Sequence, residues 1–249
     1  MPEAFPMAKV LAGAAATSIA AGGLLTYAAL SAGSQLFGRT LIASRNPSEI
    51  ALTFDDGPND PYTLQLLDLL ATHRVRATFF MIGRFVRQRP DIVRRVQAAG
   101  HLIGNHTMTH PWLVLASPKR VRQELADCNA ALEDVLGDRV ESFRPPHGSR
   151  RPDVLRTARE LGLTPVMWNV IAHDWELGIR AEDILGHVEK GIRRNRRAGW
   201  GSNIVLHDGG QAAIGQDRSA TVEAVQRLLP KLLLVRETTF VTPVTIVHR

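Results

Sequence analysis

A single cysteine, Cys128, stands in 249 residues, so no internal disulfide can form and no thiolate cluster can hold zinc. Any metal would need histidine and carboxylate ligands. Cysteine poverty leaves the compartment open, because a domain of this size buries enough core to persist without cross-links. Solenoid-type repeats are missing as well. With 45% hydrophobic and 22% charged residues, the composition excludes a chain too polar to fold and leaves one main domain as the default.

Charge is missing from one place in particular. Between Val10 and Gly38 no residue is charged, and residues 10–32 are long enough to cross a bilayer as a helix, which needs about 20 residues. The stretch is rich in alanine and glycine, so a cleaved signal peptide competes with an uncleaved anchor, and Ala29 and Ser31 supply a small-x-small cleavage site. An uncleaved anchor is the expectation. Residues 1–38 then form the membrane or signal segment, 39–47 a linker, and 48–249 the catalytic domain. Lys9 before the segment and Arg39 and Arg45 after it do not fix its orientation.

The net charge is +6, with arginine clusters at Arg84 to Arg95, Arg150-Arg151 and Arg193 to Arg197. A solvated face is the ordinary reading of each. An anionic polymer or lipid headgroup suits the same charge, whereas nucleic acid is not expected, for want of a recognition motif.

From residue 48 onward, short β-like runs alternate with amphipathic stretches, an α/β pattern. Strands are predicted at Ile50 to Phe54, Ala77 to Ile82, Leu102 to Asn105, near Phe143, Pro165 to Asn169, Asn203 to Leu206, and Phe240 to Val247. Helices are predicted at Tyr62 to His73, Pro90 to Ala99, Pro118 to Leu136, Asp153 to Leu161, Ala181 to Ile192 and Ala220 to Val235. About seven strands with helical crossovers suit a parallel barrel, whose strand-end loops gather at one end.

Polar motifs sit at those ends. LTFDDGP, residues 52–58, puts Asp55 and Asp56 where a buried strand meets a turn, and two adjacent acids repel unless a cation or proton separates their roles. GNHTMTHP, residues 104–111, sets two histidines four apart, on one face of a helical turn, within reach of one metal ion. Two histidines and one aspartate would leave a position open for water or substrate, as catalytic sites require.

RPPHG at 144–148, Trp168, HDW at 173–175 and LHD at 206–208 complete an ordered set. Together TFDDGP, HTMTH, RPPHG, HDW and LHD resemble the five motifs of the polysaccharide deacetylases, the NodB-homology domain of carbohydrate esterase family 4. The resemblance runs from about Ser48 to the C-terminus. It implies a distorted (β/α)7-type barrel, here preceded by the N-terminal hydrophobic helix. It also implies a divalent metal ion, usually zinc with cobalt, nickel or manganese as alternatives, on Asp56, His106 and His110. Asp55 matches the general base, Arg144 the arginine that pairs with it, His207 the acid that protonates the leaving amine, and Asp174 the group that orients His207. A backbone N–H at or near His147 would stabilise the oxyanion, and Trp175 and Leu206 would wall the acetyl-methyl pocket.

Two departures bear on these expectations. His147 replaces a common tyrosine, and Ile171 stands where the fourth motif usually has its first aspartate, removing a carboxylate from the surroundings of Arg144. The expected activity is hydrolysis of N-acetyl groups on peptidoglycan, chitin-like or poly-N-acetylglucosamine chains. The alternatives are an O-acetyl esterase on xylan-type glycans and a carbohydrate-binding pseudoenzyme. Partners are then the acetylated glycan and, through the front segment, the membrane. The catalytic domain would be extracytoplasmic if anchored, or secreted if the segment is cleaved.

Overall fold

The computed structural model of the protein describes residues 22–243, so most of the expected membrane segment lies outside the described residues. Residues 22–30 are helical (α1). There follow β1 (Glu49–Gly57), α2 (Tyr62–Thr72), β2 (Thr78–Met81), α3 (Gly83–Gln88), α4 (Pro90–Ala98), β3 (Leu102–Asn105), α5 (Pro118–Leu136) and β4 (Ser142–Phe143). After a 3-10 turn at Pro146–Gly148 come α6 (Pro152–Glu160), β5 (Thr164–Pro165), β6 (Val170–Ile171), α7 (Ala181–Arg197), β7 (Ser202–His207), α8 (Ser219–Leu233) and β8 (Thr239–Val241). Among the described residues no helix is long and apolar enough to cross a membrane.

All pairings are parallel, in the order β5-β4-β3-β2-β1-β7-β6, with β8 against the start of β1. The nine residues of β1 are buried throughout, as a central parallel strand covered on both faces must be. One edge of β1 lies along β7, and the other is shared between β8 at its first residues and β2 at its last. Every strand therefore points its C-terminal end to the same side.

The sheet curls without a continuous ladder between β5 and β6. Side chains bridge the gap instead: the Met167 carbonyl accepts from Asn203 Nδ2 at 2.8 Å, and Asn169 Oδ1 accepts from the Asn203 N–H at 2.8 Å. Residues 39–47, read from sequence as a linker, lie against the domain: Leu41 donates to the Pro165 carbonyl at 2.9 Å and accepts from Met167 N–H at 2.7 Å.

Local chemistry explains the helix boundaries. Ser117 caps α5 by accepting from the Arg120 N–H at 3.2 Å, Pro118 opens it, and Gly137 closes it in the left-handed conformation. α7 runs five residues past its expected end at Ile192, because the arginines of its last turn complement the partial negative charge there. The predicted strand at Pro165 to Asn169 shrinks to β5, its remainder leaving the ladder to reach Asn203. The predicted strand to Val247 appears as β8, and residues 244–249 lie outside the described residues.

Candidate active site

The two adjacent acids share one site because β1 carries a bulge. In its register with β2, Asp55 opposes Phe80 and Gly57 opposes Met81, which leaves Asp56 as the extra residue, with φ of 71°. A regular strand would send the two carboxylates to opposite faces; the bulge turns Asp56 back. Gly57 is required beneath it, since a Cβ there would lie 2.2 Å from Asp208 Oδ2.

His106 and His110 approach from the loop after β3, which is not the helical turn that their spacing suggests. Thr107 and His110 have positive φ, and the N–H groups a helix would bond internally go elsewhere. Asn105 Oδ1 takes the Thr107 N–H at 2.7 Å, and Glu124 Oε2 takes that of Thr109 at 2.8 Å. The motif is thus held by polar side chains of its own strand and of α5.

Asp56 Oδ1 lies 3.4 Å from His106 Nε2 and 3.1 Å from His110 Nε2, all three groups being buried. The far nitrogens decide which lone pairs face inward. His106 Nδ1 sits 2.8 Å from the Arg144 carbonyl, and His110 Nδ1 sits 2.8 Å from Gln211 Oε1. Both partners only accept, so each Nδ1 carries the proton and each Nε2 offers a bare lone pair to Asp56 Oδ1, which accepts no hydrogen bond. Three electron-rich atoms facing one another fit a divalent cation. The only substitute is protonation of the imidazoles, which, against burial pushing the other way, would hold the Asp56 carboxyl well below the usual carboxylate range. Nitrogen and oxygen ligands of this kind suit zinc and its first-row neighbours.

Asp55 faces the same cleft. Arg144 Nη1 donates to Asp55 Oδ1 at 2.7 Å and to Thr53 Oγ1 at 2.7 Å, and the guanidinium lies 4.2 Å over the Phe80 ring. Arg144 is fully buried, and its Nε has no partner. Through its carbonyl to His106 and its guanidinium to Asp55, one residue orients groups of both kinds.

On the opposite wall, Asp174 accepts from His207 Nδ1 at 2.8 Å, from the His207 N–H at 2.7 Å and from Thr221 Oγ1 at 2.8 Å. Burial would lower the imidazole pKa, but the buried Asp174 carboxylate outweighs it and raises His207 to about 9. Trp175 is half exposed and meets the His207 ring edge-on at 5.0 Å. Burial lowers His147 to about 4, with His110 adding to the effect, and its ring stacks on Trp112 at 3.9 Å.

A cleft of about 460 Å³ brings together Asp55, Asp56, His106, His110, His147 and His207. Leu206 is a correction: it belongs to the hydrophobic core, and strand alternation gives the cleft face of β7 to Val205 and His207. Sequence reasoning also missed Gln211 and Thr221, which fix the His110 tautomer and Asp174. Neither belongs to a motif. Asp208 is buried between Gly57 and Thr63, and burial raises its carboxyl to about 7.

A parallel, curled α/β sheet with an acid–histidine cluster at its C-terminal strand ends defines a hydrolase of the barrel type. The profile of the polysaccharide deacetylases matches residues 43–166. A chitooligosaccharide deacetylase of Sinorhizobium fredii is 40% identical over 190 residues, covering 74% of this chain and 85% of that protein. The crystal structure of a peptidoglycan N-acetylglucosamine deacetylase in complex with 4-naphthalen-1-yl-N-oxidanyl-benzamide superposes with a TM-score of 0.73 at 31% identity, over 82% of this chain and 91% of that one. A family 4 acetyl xylan esterase from Clostridium thermocellum, bound to cobalt, gives 0.68 at 32% identity, over 80% and 89%. The chain belongs to the polysaccharide deacetylase family, whose named relatives here are hydrolases that remove acetyl groups.

Proposed function

We propose that the protein removes N-acetyl groups from an amino-sugar polymer, giving free amine and acetate. The observation that carries this reading is the convergence of three lone pairs, from Asp56, His106 and His110, between the Asp55–Arg144 pair and the His207–Asp174 pair. Asp56, His106 and His110 would hold a divalent ion, zinc by preference, which when bound polarises the acetyl carbonyl and acidifies water. Asp55, aimed by Arg144, takes the proton of the water that attacks the carbonyl carbon. A backbone N–H at or near His147 donates to the developing oxyanion. His207, kept protonated by Asp174, gives its proton to the amine nitrogen as the carbon–nitrogen bond breaks. Trp175 and Val205 bound the space for the methyl group.

The names of the relatives support a β-linked N-acetylglucosamine backbone as the substrate class. The esterase relative supports a second reading, O-acetyl hydrolysis on xylan-type glycans. The test is acetate release by zinc-loaded protein from N-acetylated chitooligosaccharide, peptidoglycan and acetylxylan. Release from the first two carries the proposal; release from acetylxylan alone transfers it to the ester. Glycan binding without any turnover would mark a pseudoenzyme.

The same reading places the domain outside the cytoplasm, held at the membrane by its front segment. Leu24, Leu25 and Leu30 on α1 are exposed and continue the uncharged stretch that starts at Val10. Membrane retention after expression of the full chain, lost on deletion of residues 10–21, is the expected outcome.

A further inference from the structure

Arg150 is a buried cation that the catalytic scheme does not use. It lies three residues after His147, exposes 1% of its surface, and has no carboxylate partner among the described residues. Its guanidinium is satisfied by carbonyl oxygens alone: Gly148 at 2.8 Å, Ser31 at 2.6 Å and Ser34 at 2.9 Å. Its own N–H donates to the Ala29 carbonyl at 3.0 Å.

Ala29, Ser31 and Ser34 form the end of α1 and the turn after it. The last carbonyls of a helix lack internal partners and carry partial negative charge, so they suit a guanidinium that must be buried. A buried cation stripped of such partners costs several kcal/mol. Arg150 and α1 are therefore mutually dependent, although α1 precedes residue 43, where the family match begins.

The loop so held is the one that carries His147. His147 and Gly148 both have positive φ, and a Cβ at Gly148 would sit 3.1 Å from the Trp168 ring and 3.5 Å from the Leu30 carbonyl. On its other side the loop is tied to the chain after His110, where Ser149 Oγ accepts from the Leu113 N–H at 3.0 Å. Left-handed backbone persists only where its surroundings impose it.

We propose that residues 22–34 are an intramolecular latch which, through the positioning residue Arg150, holds the His147 loop in its catalytic conformation. The front segment is thus a working part of the enzyme. Cleavage at the Ala29-x-Ser31 site would separate Arg150 from the carbonyl of Ala29 and break the helix end that it caps. The catalytic part of this inference rests on the deacetylase reading above.

The test uses the full chain with a protease site inserted between Leu36 and Phe37, alone and combined with Arg150→Met, the front fragment being separated from the domain after cutting. Either cutting or Arg150→Met is expected to lower kcat on N-acetylated chitooligosaccharide roughly 10- to 100-fold, with zinc affinity and KM changed less than about threefold. Because both act through one contact, the double change should be no worse than the larger single one, and Arg150→Lys should be intermediate. Multiplying effects, or an unchanged kcat in the cut protein, would overturn the proposal. Hydrogen exchange at residues 147–150 is read in parallel without substrate. Protection lost on cutting supports the latch even in a protein that turns over no glycan, where the deacetylase reading alone would fail. Protection retained on cutting overturns the latch whatever the activity.

Discussion

At the scale of single residues, two carboxylates of the same type are given different surroundings by one inserted residue. The bulge at Asp56 leaves Asp55 against Arg144 and turns Asp56 to the imidazoles. Asp55→Asn is accordingly expected to bind zinc nearly as well as the parent while kcat falls by about 10²- to 10⁴-fold, the range for a lost general base. His106→Ala should lose both, and a titration calorimeter together with acetate release separates the two outcomes. The His207 pair gives a pH signature. Asp174 raises this imidazole to about 9 against the effect of burial, so the proton that the proposed mechanism gives to the leaving amine is held below that pH and lost above it. Stability follows the same sign: the contribution is complete below the ordinary histidine value of about 6.5 and disappears as pH rises through about 9. A cation at Asp56 opposes protonation, placing the alkaline limb of the metal-loaded enzyme below about 9. Asp174→Asn should move that limb lower still, measured as the pH dependence of kcat. The grouping of these side chains was legible wherever residue type and motif order determined it. It was illegible at Leu206 and Val205, where two apolar neighbours differ only in which face of β7 they occupy.

At the scale of elements, the strand ends set the site and glycines set how closely they approach. The turn after β7 brings the Asp208 and Gly209 N–H groups to the Asp55 carbonyl, at 3.2 and 3.4 Å. A Cβ on Gly209 would lie 2.1 Å from the Asp56 carbonyl oxygen, a backbone atom with no room to move, whereas one on Gly210 would meet only the ends of Gln216 and Arg218. Gly209→Ala should therefore lower zinc affinity at least about tenfold and cost about 1–3 kcal/mol of stability by overpacking. Gly210→Ala should leave both near the parent value, as read by metal titration and thermal melting. Long periodic helices and buried strands were readable for the same reason that they are stable: many residues repeat one instruction. α3 has six residues and β6 two, too few for any period to emerge. The H-x-x-x-H spacing misled on local structure, because Asn105 and Glu124 capture the N–H groups that would have closed a helical turn.

At the scale of the whole molecule, the sequence shows three arginine clusters but not which of them is free. The Arg150-Arg151 pair is absorbed by the fold, and so is Arg89 of the first cluster, whose Arg87, Arg94 and Arg95 stay exposed. Arg89 pairs with Asp60 at 2.7 Å and Asp91 at 2.8 Å, while Arg150 is enclosed and Arg151 binds Asp153 at 3.0 Å. The third lies along the C-terminal half of α7, where Lys190, Arg193, Arg194 and Arg197 line a cleft of about 840 Å³ beside β6. Ile171 lines both this cleft and the catalytic one, so a polymer bound as proposed and extending past Ile171 would meet positive charge. Glu189 lies 3.7 Å from Arg193 but is also bonded to Lys231 at 2.8 Å, leaving the field only partly cancelled. Screening then separates two kinds of substrate. Raising ionic strength from about 0.05 to about 0.5 M shortens the Debye length from about 14 Å to about 4 Å, and KM for a glycan bearing carboxylates or phosphates should rise several-fold. KM for neutral chitooligosaccharide should stay level. Replacing Lys190 and Arg197 by glutamine should flatten the salt response on the acidic glycan without changing kcat on the neutral one. A KM for the acidic glycan indifferent to salt in the parent protein would exclude this cleft from substrate binding and return the α7 arginines to the role of a solvated helix face.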